Sequence, residues 1–264
     1  MDAAPLGGQG RRARLCRVHL ARDHSRPFAQ NQLKPWQHQQ WCVPEVGAEF
    51  VAAMEDVLDL YEEPYDALYP TVCFDEKSVV LHAETRPTQP AAPGQPERRD
   101  YEYVREGTAN LFVMVEPLAG WRHVEVTERR TKLDFAEAVR WLVEERDPEV
   151  EYVRIVLDNL NTHGSAALYE AFPAKQARAI AARVEWHHTP KHGSWLNMAE
   201  IEISVFERGY LSRPVGDVAA LERRVAALES ERNEAHCTIH WQFTARDARV
   251  KLKHLYPVAK NQRN

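Results

Sequence analysis

This 264-residue chain has no apolar run approaching the ~20 residues of a membrane-spanning helix. Its four cysteines, Cys16, Cys42, Cys73 and Cys237, are scattered and lack the paired spacing of a zinc site. They read as reduced thiols of a cytoplasmic protein. Arg11, Arg12, Arg14 and Arg17 are followed by no apolar stretch, which predicts no secretory signal. Internal repeats and long low-complexity tracts are lacking too. There is also no excess of positive charge: 34 Lys and Arg against 39 Asp and Glu leave −5, which by itself argues against a nucleic-acid partner.

The charge that is present is unevenly spread. Residues 1–40 carry seven Arg and Lys against two Asp, and residues from Thr244 onward carry six against one. Each end is therefore about +5 and the middle about −15. Basic ends fit contact with phosphate, and an acidic middle fits carboxylates gathered for a metal. Ordinary charge scatter explains the pattern equally well. A chain of this length suggests one large domain, or one domain with a small appendage, and can bury a real core.

Residues 1–40 mix Gly, Pro, Gln and Arg without periodicity and are expected to be poorly ordered. Phe50, Met54, Val57, Leu58 and Tyr61 recur at helical spacing, predicting a helix over 44–61. Strands are predicted over 71–81, 110–115 and 122–126, with a charged, proline-rich loop over 86–105 between the first two. Thr131 and Asp134 form a capping-box-like start for a helix through Glu145. Residues 152–157 (YVRIVL) read as a strand buried on both faces. A helix over 165–183, a short strand over 184–187, a turn over 190–194, a helix over 195–210 and a charged helix over 217–233 follow. This order calls for an α/β fold, a mixed sheet with helices on its faces. The expected divisions are a basic segment (1–40), a helical linker (41–70), a catalytic domain (71–235) and a basic tail (236–264).

Three carboxylates stand out by position. Asp75 follows the apolar Val72, Cys73 and Phe74, where a charge is costly unless compensated. Asp158 sits at the carboxyl end of the most apolar strand, where ligands gather in sheets of this winding. Glu200 lies early on the helix predicted from 195. Glu207 shares its helical face, whereas Glu202 is rotated away. Oxygen-only ligands suit Mg²⁺ or Mn²⁺, and a pair of such ions can activate one oxygen and stabilise another on phosphate.

The segments VCFDEKSVV, IVLDNLNTHGS and HHTPKHGSWLNMAEIEIS resemble the three acidic motifs of bacterial insertion-sequence transposases of the mariner-like Asp-Asp-Glu group. Residues 96–112 (PERRDYEYVREGTANLF) resemble the family as well, and the likeness runs from about Leu33 to about Arg249. It implies an RNase H-like fold, with Asp75, Asp158 and Glu200 as catalytic residues holding two Mg²⁺ or Mn²⁺ ions. It further implies cleavage of transposon ends, strand transfer into target DNA and a homodimer in the DNA complex. Two departures stand out. Only a remnant of the family's helix-turn-helix units fits before Lys34, and the interval from Asp158 to Glu200 is a few residues longer than usual. A non-catalytic remnant that binds DNA or intact transposase, and a cellular RNase H-like nuclease, are the competing readings. The Trp195 to Glu200 motif favours the transposase over the latter.

Candidate DNA contacts are Arg98, Arg99 and Arg105, interleaved with Tyr101 and Tyr103, together with Asn159 and the pair Lys191 and His192 before a helix. A solvated hairpin explains the arginines equally well. His163 reads as an incidental loop residue and Trp195 as a core anchor. His187, His188 and His192 lack the cysteine partners of a zinc site.

Overall fold

The computed structural model describes residues 47–257 except 87, 99, 101, 161, 162 and 212. The expectation for residues 1–40 therefore lies outside the described residues. The chain enters on helix α1 (Ala48–Glu62), followed by β1 (Thr71–Glu84), β2 (Tyr103–Glu116) and β3 (Trp121–Thr127). Helix α2 (Lys132–Trp141), β4 (Val153–Leu157), α3 (Ser165–Ala171), α4 (Ala174–Ala181) and β5 (Val184–His188) come next. The chain continues through α5 (Ala199–Gly209), α6 (Val218–Glu234) and α7 (Ala245–Lys251). The five strands form one sheet in the order β3-β2-β1-β4-β5. The first three pair antiparallel; β4 pairs parallel to β1 and β5 parallel to β4. This is the mixed sheet that the element order predicts.

Alternation along the strands divides the core in two. Val72 and Phe74 of β1, with Phe112 and Met114 of β2, pack against Phe135 and Val139 of α2 and Ile180 of α4. Cys73 of β1, with Leu111 and Val113 of β2, faces the other way. These meet Leu58 of α1, Ile203 and Phe206 of α5, and Leu221 of α6. Both faces of the central strands are thus dry, and β4 is buried along its whole length. This is the environment its nearly continuous apolar sequence requires.

Several elements depart from the sequence-based expectation for local reasons. The helix opened by the Thr131–Asp134 capping box ends at Trp141 and widens into a π-helical turn over Leu142–Arg146. The expected helix over 165–183 is two helices, because Pro173 stands at the N-cap of α4 and cannot continue α3. β1 and β2 extend beyond their apolar halves into an exposed two-stranded arm, paired from Val79–Ala109 out to Glu84–Tyr103. The C-terminal stretch also carries structure. A second capping box, Thr244 with Asp247, starts α7. Arg249 grips Glu55 of α1 with two bonds of 2.8 Å, and the Tyr256 hydroxyl donates to the same carboxylate at 2.7 Å. Part of the basic C-terminal charge therefore faces an acidic helix.

One charge network, with Arg122 and Glu202 fully buried and Arg232 partly so, ties β3, α5 and α6 together. Glu202 of α5 and Arg122 of β3 are both fully buried, with Arg122 Nε 3.3 Å from Glu202 Oε1. Arg232 of α6 binds the same carboxylate through both Nε and Nη2. The Arg122 guanidinium also donates to the carbonyls of Gly120, Arg232 and Cys237, satisfying the carboxyl end of α6. Glu202 is turned away from the Glu200 face, as its helical phase requires, and its role is to hold the helix in place. Removing one member of a buried ionic set leaves the others uncompensated. Glu202→Gln is expected to lower stability by about 3 kcal/mol, measured as a lowered urea midpoint; an unchanged midpoint would contradict this role.

Candidate active site

The register that builds the sheet also builds the site. β1 and β4 pair in parallel through Cys73–Val156. Carried two residues further, the same register sets Asp75 level with Asp158. Two-residue alternation puts Asp75 on the Cys73 face, and Asp158 follows the last residue of β4, with its carboxylate close enough to Asp75 to act on it electrostatically. That face is covered by α5, whose first turn carries Glu200. Asp75, Asp158 and Glu200 thus meet at one place.

The electrostatics of Asp75 reflect this meeting. Burial pushes its pKa up to about 7, and the nearby carboxylates of Glu200 and Asp158 add to the rise. The Glu76 amide, donating to Asp75 Oδ1 at 2.8 Å, and the His163 imidazole oppose it. The carboxylate set carries more negative charge than these groups neutralise. A hard divalent cation with oxygen ligands fits such a set. Among the described residues, no group of three or more His, Cys, Asp or Glu side chains is arranged so that it could hold a metal ion.

His163 is the residue that sequence reasoning undervalued. It is buried, with Nδ1 2.5 Å from Asp158 Oδ1 and Nε2 3.0 Å from Glu76 Oε1. Its ring packs against both Phe74 and Phe135, at centroid distances of 6.1 and 4.8 Å. Burial alone would depress an imidazolium; the two carboxylates outweigh that and hold its pKa up to about 9. His163 is therefore a charged ion-pair partner that fixes Asp158 in place. The five-residue step from Asp158 to His163 was visible in the sequence, but the aromatic contacts and Glu76 come from other elements.

The turn before α5 brings further groups in. His192 adopts φ of 66° and Gly193 follows so close to Pro190 that an added Cβ would sit 2.5 Å from the proline ring. Lys191 and His192 are thereby exposed beside Asn159, in a cleft of about 650 Å³ whose other wall is the start of α1. At the base of α5, buried Asn197 donates from Nδ2 to the Phe74 carbonyl at 2.8 Å and accepts from the Ala199 amide at 3.1 Å.

Other candidate residues lie elsewhere. Arg98 and Arg105 are exposed on and beyond the projecting arm. Along β2, Arg105 stands eight residues from Val113, the partner of Asp75, or roughly 27 Å at strand rise. Arg99 lies outside the described residues. Glu207, which shares the helical face of Glu200, is held by Lys77 at 2.5 Å. Trp195 is not a core anchor: it is 46% exposed and packs on Trp241 and Phe243. His187 bonds Asp56 of α1 at 2.8 Å, fastening that helix to β5.

This arrangement can be set beside known proteins. The family model described as DDE superfamily endonuclease matches residues 70–222, more than half of the chain. The chain belongs to that family. No curated protein matches it. Among solved structures it resembles the Mos1 mariner paired end complex with Mn, at 14% identity over 82% of this chain and 70% of that one, with a TM-score of 0.50. The mariner Mos1 paired end complex with Mg aligns at 15% identity, 78% and 67% coverage and a TM-score of 0.44. The Mos1 transposase paired-end complex with the left transposon end aligns at 17% identity, 81% and 68% coverage and a TM-score of 0.34. At these identities the shared feature is the fold, the RNase H-like mixed sheet.

Folding raises the Asp75 pKa above its ordinary value of 3.8 to about 7, so the folded chain holds that proton more tightly than the unfolded one. The resulting stabilisation is present at low pH and is lost as pH rises through about 7. In metal-free buffer, Asp75→Asn is therefore expected to raise the melting temperature by roughly 3–6 °C at pH 8. The gain should vanish near pH 4; an equal gain at both values would mean that charge is not its cause.

Proposed function

We propose that this chain is a DNA transposase that cuts transposon ends and joins them to target DNA, with Asp75, Asp158 and Glu200 holding two Mg²⁺ or Mn²⁺ ions. The observation that supports the reading is the proximity of those three carboxylates around a half-buried Asp75 whose pKa is raised. Membership of an endonuclease family fits a phosphodiester substrate. The Mos1 mariner structure of similar fold is a paired end complex, which supports transposon-end DNA as the ligand; a homodimer is the working form we propose with it. No helix among the described residues is long and apolar enough to cross a membrane, which accords with a DNA-associated protein of the bacterial cytoplasm.

Bound divalent ions would supply Lewis-acid stabilisation of the attacking and leaving oxygens at phosphorus. The protein's own residues bind and orient. His163 holds the Asp158 carboxylate in a fixed rotation. Lys191, His192 and Asn159 line the cleft beside Asp158 and suit the phosphates of a strand threaded past it. Arg98 and Arg105, on and near the arm, suit backbone phosphates farther along the duplex, and Arg99 is a further candidate by sequence. No side chain acts as a covalent nucleophile: the attacking oxygen is first water, then a DNA 3′-hydroxyl. Catalysis then consists of positioning the strand and neutralising charge.

Cleavage of DNA bearing the element's own terminal repeats tests the reading. With Mg²⁺ or Mn²⁺, Asp158→Asn should fold normally and lose at least ~100-fold in rate, the scale of several kcal/mol of lost charge stabilisation. Wild-type metal-dependent cleavage by Asp75→Asn, Asp158→Asn and Glu200→Gln alike would overturn the assignment. DNA affinity should also fall steeply between 50 and 200 mM salt as counterions are released. Lys191→Ala with His192→Ala should flatten that slope, and an unchanged slope would remove the cleft from the interface.

A further inference from the structure

We infer that Asn197 is the positioning residue that holds the Asp75 and Glu200 carboxylates together in the absence of metal. The inference rests on the site reading above and adds to it a residue that touches neither metal nor DNA. Three like-charged side chains in a partly desolvated space repel one another. Unless something fastens α5 to β1, repulsion favours moving the first turn of α5 away from the sheet.

The fastening is one buried side chain. Asn197 is 1% exposed, and its amide bonds in both directions. Nδ2 donates to the carbonyl of Phe74, the residue before Asp75, at 2.8 Å. Oδ1 accepts from the amide of Ala199, the residue before Glu200, at 3.1 Å. A single planar group thus bridges the backbone neighbours of two acids that come from distant parts of the chain. It acts where β1 has run past its last described pairing with β4, at Cys73–Val156.

The residue type suits the task. An amide offers a donor and an acceptor on one rigid fork and adds no charge to a site already rich in it. Aspartate would place an oxygen against the Phe74 carbonyl, and leucine would leave that carbonyl and the Ala199 amide without these bonds in a buried place. The surrounding turn is held by other contacts: Tyr61 donates to the Leu196 carbonyl at 2.9 Å, and the Glu200 amide bonds the Asn197 carbonyl at 3.1 Å. Losing the Asn197 side chain should therefore loosen the α5–β1 junction without unfolding the domain.

Mn²⁺ binding to the full chain without DNA, followed by electron paramagnetic resonance and titration calorimetry, reads this role apart from catalysis. Groups that orient metal ligands typically contribute 10–100-fold to metal affinity. Asn197→Ala is expected to bind Mn²⁺ about tenfold more weakly and to give an altered bound-ion spectrum. Val225→Ala, a buried substitution on α6, should lower thermal stability and leave Mn²⁺ affinity unchanged. If Asn197→Ala does not fold, Asn197→Ser, which keeps one short hydroxyl, should show a smaller loss in the same direction. Wild-type affinity in the asparagine variant, with binding lost in Asp75→Asn, would overturn the inference and leave the site reading intact. Unchanged binding in both would overturn the site reading, and the inference with it.

Discussion

The two-residue period of β1 beside β4 is the constraint from which the rest follows. Phe74 has to face α2 and Cys73 has to face α1, because both helical layers need apolar partners. That choice leaves Asp75 on the Cys73 face, and the parallel register puts Asp158 level with it. A shift of one residue would send Asp75 into the Phe135 layer and bring Phe74 to the acidic site. Core packing and the placement of charge are therefore one decision. The acid stays on the site face because the residues around it are too apolar to be turned over.

Gathering acids in this way is unfavourable in itself, and the surrounding structure is organised to oppose it. His163 supplies a compensating cation, packed against Phe74 and Phe135. The Glu76 amide bonds the Asp75 carboxylate directly. Behind α5, Glu202 anchors the helix to Arg122 and Arg232 on its far side. Glu200 and Glu202 lie two residues apart and have opposite assignments, one facing the site and one locked in a neutralising network. The helix cannot rotate to relieve repulsion at Glu200 without breaking the ion pairs at Glu202.

How much of this was legible depended on whether the cause was local. The apolar run of β4 and the Val-Cys-Phe-Asp start of β1 carry their own burial signal, so both strands and both aspartates could be read directly. Glu200 came from motif resemblance and helical phase. The break at Pro173 and the Thr244–Asp247 box that starts α7 were also present in the letters, in the same form as the Thr131–Asp134 box. The outer half of β2 and the last three residues of β1 were not legible, because residues 103–108 are exposed and no burial imposes alternation on them. His163 and Asn197 were beyond local reasoning. Their meaning comes from Glu76, Phe135, Phe74 and Ala199, which reach them only through the fold.

The central claim is that three carboxylates from two strands and a helix form one metal-dependent site. Anomalous diffraction from crystals of the full chain grown with Mn²⁺ tests it most directly. The account predicts density within roughly 2–2.5 Å of carboxylate oxygens of both Asp75 and Asp158, with Glu200 drawn toward it. Mn²⁺ bound elsewhere on the chain, with those aspartates making no contact to it, would contradict the account.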